Sequence, residues 1–143
     1  MVAQGFFSVD SLVGVHALVM DADQECRQLL SSILRYCGAL VTTTGSSREA
    51  LKVISVVKCD VLIVEIALPG ESGVELIRRV RALKPEDGGV VRAIALSGRD
   101  GDRDGDRDGA LTAGFDAHLT KPIEPWAMCR LVATLVFGER AEH

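Results

Sequence analysis

Aromatic residues are scarce in this chain: one Trp, one Tyr and four Phe make up 4% of 143 residues. No block of Lys and Arg forms a stripe able to neutralise phosphates, and the net charge is −4, so nucleic acid is not expected as a partner. Apolar runs are strand-sized, far below the ~20 residues of a membrane helix, so no membrane span is expected. The N-terminal MVAQGFFSVD has neither a basic start nor a long apolar stretch and does not read as a signal peptide. Cys26, Cys37, Cys59 and Cys129 form no Cys-x-x-Cys pair. They read as buried free thiols, with a reducing cytoplasm as the expected location. No Gly-x-Gly-x-x-Gly follows the first apolar run, which removes the usual dinucleotide signature.

What is present is an ordinary globular composition, 48% apolar and 25% charged, and a length that fits one core. Strand-like and helix-like patterns alternate five times. The strands are His16–Met20, Ala39–Thr43, Val61–Val64, Val90–Leu96 and Ala117–Thr120. The first helix spans about Gln24 to Tyr36 with apolar Leu29, Leu30, Ile33, Leu34 and Cys37, and Gly38 supplies a left-handed stop. Ser46 with Glu49, and Ser72 with Glu75, are capping-box patterns opening the second and third helices. A last helix from about Glu124 to Phe137 places Met128, Leu131, Val132, Leu135 and Val136 on one face. Alternating βα units predict an α/β fold with a parallel sheet covered on both sides. The expected division is an N-terminal extension 1–14, one domain 15–137 and a tail 138–143, with both ends loosely held.

Charged or hydroxyl residues follow four of these strands: Asp21, Glu65, Ser97 and Lys121. In an open parallel sheet, functional groups gather outside the carboxyl ends of the strands, so two acids, a serine and a lysine are expected at one edge. Asp23 falls at a helix start, where capping is the expected role. Gly98–Gly109 reads GRDGDRDGDRDG, a four-residue repeat without an apolar side chain. Gly and Asp are poor helix formers, so the first half of the fourth helix is expected to fray or loop. Asp104, Asp106, Asp108 and Gly109 match the start of a calcium loop, but Phe115 stands where the closing glutamate belongs.

The stretches ALVMDADQECRQLL, VLIVEIALPGESGVELIRRVR, AIALSG and AGFDAHLTKPIEP resemble the receiver domains of two-component response regulators, above all those attached to hybrid sensor kinases. The likeness covers His16 to Val136 and implies a flavodoxin-like (βα)5 three-layer sandwich with strand order 2-1-3-4-5. It also implies a signalling domain rather than an enzyme, fed by a histidine kinase or another signalling protein. A homodimer through the face of the fourth helix, fifth strand and fifth helix is implied as well. In such receivers an aspartate ending the third strand accepts a phosphoryl group, and an acidic pair ending the first strand holds Mg2+. Ser97 and Lys121 match the family's hydroxyl and lysine, and Pro122 follows as in the family, where that peptide bond is usually cis.

Three positions depart from the pattern. Glu65 stands at the phosphoacceptor, one methylene too long. Ala22 replaces the second acid of the metal pair, leaving Asp21 as a weak or absent Mg2+ ligand. His118 occupies the aromatic switch position, where packing is expected. With the metal lost, Lys121 is expected to pair with Glu65, joined by the Ser97 hydroxyl. The sequence thus reads as a degenerate receiver acting by protein contact, with weak phosphorylation as one alternative. A second alternative takes Asp21 and Asp23 as nucleophile and acid of a haloacid-dehalogenase-like phosphatase. Against it, Gln24–Glu25 replace the expected Thr or Val step and no late acidic pair follows the lysine.

Overall fold

The computed structural model describes residues 10–68, 71–98 and 103–138. The start of the GDRD repeat, the first nine residues and the last five lie outside them, and with these the expectations placed there. Five strands form one parallel sheet: β1 (His16–Met20), β2 (Leu40–Thr44), β3 (Val61–Glu65), β6 (Arg92–Ser97) and β7 (Ala117–Thr120). A two-residue pair, β4 (Ala67–Leu68) with β5 (Glu71–Ser72), follows β3. The sheet order is β2-β1-β3-β6-β7, the 2-1-3-4-5 order of a flavodoxin-like fold. Helices α1 (Gln24–Tyr36), α2 (Ser47–Val56), α3 (Gly73–Arg81), α4 (Arg103–Ala113) and α5 (Pro125–Phe137) connect and cover the strands.

Period-two alternation sorts the central strands between two cores. Ala17, Val19, Val61, Ile63, Ile94 and Leu96 pack with residues of α1 and α5 on one face. Leu18, Met20, Leu62, Val64, Ala93 and Ala95 pack with α2, α3 and α4 on the other. Nearly every one of these side chains is fully buried, each large aliphatic contributing about 1.5–3 kcal/mol. β3, central and covered on both faces, is buried along its whole length, and so its last residue, Glu65, enters the structure shielded from water.

The caps of α1 and α2 follow the sequence. The side chains of Asp23 and Ser46 accept from the amides of Glu25 and Glu49, and Gly38 takes φ +101°. Four expectations are corrected. The fourth strand begins at Arg92, because the Val91 amide is turned back to the Gly88 carbonyl at 3.2 Å. Leu29 is 57% exposed, since α1 rotates Leu30 and Leu34 inward instead. The extension is not loose from residue 10 onward: Leu12 is fully buried and its amide donates to the Cys37 carbonyl at 2.8 Å. Finally, α4 is helical from Arg103, excluding a calcium-loop backbone there. Burial of Ala110 and Phe115 outweighs the poor propensity of the repeat.

Candidate functional site

Strand ends bring the expected residues to one edge. Asp21 follows β1, Glu65 and Ser97 close β3 and β6, and Lys121 follows β7. The Lys121 amide donates to the Ser97 carbonyl at 2.9 Å, and the Ile66 amide to the Leu96 carbonyl at 2.9 Å. These extensions of the ladder carry the register of the sheet into the site. Gly73 stands directly behind: a Cβ there would lie 2.9 Å from the Glu65 carbonyl oxygen and 2.8 Å from Ile66 Cα. Only glycine lets α3 start this close to β3.

At the centre lies a three-charge cluster. Lys121 Nζ donates to Glu65 Oε1 at 2.5 Å and to Asp21 Oδ2 at 2.9 Å. Asp21 is 1% and Glu65 7% exposed, so both contacts form where water screens little. Partial burial alone would lower the lysine's pKa. The hydrogen bonds to Glu65 and Asp21, with the charges of both, outweigh it and hold the ammonium well above the usual lysine range. The expected Glu65–Lys121 pair is present, widened by Asp21 into a bridge. The Ser97 hydroxyl, expected to join that pair, lies 2.8 Å from His118 Nε2. His118 is half-buried on β7, and this bond ties the ends of β6 and β7 together.

The second Asp21 oxygen, Oδ1, accepts the Asp23 amide at 2.9 Å, and Arg27 Nη1 donates to the Asp21 carbonyl at 2.5 Å. Asp23 is spent on capping α1, which disfavours the phosphatase reading, where it would serve as an acid. One site residue escapes the sequence reading: Cys26, on the first turn of α1. Burial, then its hydrogen bond to Asp21, pushes this thiol up to about 11. Its only sequence signal is its place in the first turn after β1, on the side of α1 that faces Asp21.

The resemblance to receiver domains implies Mg2+ at this edge, and the donor set here does not fit that ion. Mg2+ demands several oxygen ligands in near-octahedral array. Ala22 offers none, and Lys121 already engages an oxygen of each carboxylate. Among the described residues no group of three His, Cys, Asp or Glu could hold a metal, and no helix is long and apolar enough to cross a membrane. All four cysteines are free.

Comparison with known proteins agrees with this geometry. The family model of the response regulator receiver domain matches residues 17–133. A 14.6 kDa protein of Leptolyngbya boryana is 38% identical over 126 residues, 87% of this chain and 92% of its own length. Protein PetR of Rhodobacter capsulatus is 31% identical over 110 residues, 77% of this chain but 44% of PetR. The chain thus spans less than half of that relative. A crystal structure assigned to a response regulator of Chloroflexus aurantiacus J-10-fl superposes with TM-score 0.79 at 27% identity, covering 86% of this chain and 98% of the other. The chemotaxis response regulator CheY4 of Vibrio cholerae shares the fold, with TM-score 0.74 at 22% identity over 85% of this chain and 98% of CheY4. With strand order, site edge and family match in agreement, this chain belongs to the response regulator receiver domain family.

Proposed function

We propose that this chain is a degenerate receiver that signals by protein contact, without phosphoryl transfer at residue 65. The observation that carries this is the bridge itself. Lys121 occupies Glu65 and Asp21 at 2.5 and 2.9 Å, with Ala22 where a second metal ligand would stand. A nucleophile misplaced by about 1 Å loses ~100-fold in rate, and the extra methylene of Glu65 displaces its carboxylate by about that much. The carboxylate holds the lysine as a phosphoryl oxygen would, which supports a constitutive, active-like arm of the site. The partner is a histidine kinase or another signalling protein, or a second copy through the α4–β7–α5 face, rather than nucleic acid. The functional unit is residues 15–137, acting in the cytoplasm with no enzymatic turnover.

Retention of Asp21, Ser97 and Lys121 favours one second reading, weak phosphorylation at this site. Incubation with acetyl phosphate and Mg2+, followed by intact-mass analysis, separates the two. The proposal expects no acid-labile adduct on the native chain and an adduct in the double variant Ala22→Asp/Glu65→Asp. A stoichiometric adduct on native Glu65 would overturn it.

A further inference from the structure

Away from the site, α2 and α3 flank a crevice of about 650 Å³. Its apolar lining is Leu51, Leu76 and Leu83 and its rim carries Arg48, Lys52 and Arg79. The spacing is that of a helical stripe on α2, 48-51-52-55, facing 75-76-79 on α3 and Leu83 just beyond its end. Leu76 is buried as the floor, Leu51 and Leu83 are half-buried walls, and the three cations are exposed. Among the described residues none of these cations has an ion-pair partner, unlike Arg81, Arg92 and Lys121. Charge is segregated as well: α2 and α3 carry five basic residues against two acidic ones, in a chain of net charge −4.

We propose that the α2–α3 crevice is a docking groove for an acidic amphipathic helix of a protein partner. An apolar floor between Arg48 and Lys52 on one side and Arg79 on the other, none ion-paired among the described residues, is complementary to aliphatic anchors at i, i+3 and i+7 flanked by Glu or Asp. The ten residues of α2 give a groove about 15 Å long, enough for three turns of a partner helix. Glu75, at the α3 N-terminal end of the crevice, disfavours an acid there, so the partner's acidic residues lie toward Lys52 and Arg79. The groove is independent of the state of Glu65, so it stands or falls apart from the reading above.

The test uses a 16-residue synthetic helix with Leu at i, i+3 and i+7 and flanking Glu, titrated into the full chain with amide shifts and fluorescence anisotropy recorded. Saturable binding is expected, with shifts at Leu51, Leu76 and Leu83, weakened at least tenfold in Arg48→Glu/Lys52→Glu/Arg79→Glu. The same peptide with Lys for Glu is expected to bind at least tenfold more weakly. These substitutions are at exposed positions, and an unchanged Tm checks the fold; the single variant Arg79→Glu, expected to weaken binding about threefold, serves if the triple variant unfolds. Absence of saturation, shifts elsewhere, or equal binding of the Lys peptide would overturn the proposal. So would capture by phosphatidylglycerol vesicles lost in the same variant, which assigns the surface to a membrane.

Discussion

Removing the ammonium from the three-charge bridge is the sharpest perturbation of this site. Lys121→Met keeps the aliphatic stem and leaves two carboxylates, 1% and 7% exposed, at one strand edge without their shared cation. Withdrawing one partner from a buried ion pair costs about 3–5 kcal/mol, because the remaining charge is neither solvated nor neutralised. For a chain of this size that corresponds to a Tm loss of roughly 10–15 °C. The sign with pH follows from the same groups. In the native chain the lysine's raised pKa gives stability that is fully present below the unfolded lysine value, near 10.4. That stability is lost only as pH rises through the still higher folded value. Urea unfolding at pH 7 and pH 9, with Asp21→Asn/Glu65→Gln/Lys121→Met as the neutralised reference, measures the loss, which is expected to be equal at both because both lie below the unfolded lysine value. A loss below 1 kcal/mol at pH 7, or one that has faded by pH 9, would refute the argument.

Three further outcomes follow from local geometry. Gly109 lies inside α4 and an added Cβ meets nothing within 4 Å, so Gly109→Ala is expected to stabilise by about 0.5–1 kcal/mol in urea unfolding. Gly73→Ala places a methyl 2.8–2.9 Å from Ile66 Cα, the Glu65 carbonyl and Val64 Cγ1. It is expected to destabilise by about 1–3 kcal/mol and to move the Glu65 amide resonance. Cys26, its thiol raised to about 11 by burial and then by Asp21, is expected to alkylate with iodoacetamide at a rate still climbing between pH 8 and pH 10. A rate that levels off below pH 9 would contradict that environment.

The fold was legible because its signals are local. Continuous apolar runs such as Val61–Val64 and caps such as Asp23 and Ser46 act within a few residues. The strand-end rule then placed Asp21, Glu65, Ser97 and Lys121 together. What the sequence hid depends on distance in the chain. Asp21 and Lys121 lie a hundred residues apart, and only the assembled edge shows that one ammonium serves both acids. Ser97 and His118 meet through the pairing of β6 with β7, which no periodicity reports. The helical start of α4 is hidden for a different reason. Its propensity is poor, and the burial of Ala110 and Phe115 that overrides it is a property of the packed sheet. Cys26 reads as one thiol among four, because its place in the first turn after β1 is the sole local sign of Asp21.

Gly73 lets the start of α3 press on the backbone of Glu65, while Lys121 engages the side chain of the same residue. On the proposed reading such a receiver carries no memory of recent chemistry; the amount of it present, and the company it keeps, become the variables a cell can adjust.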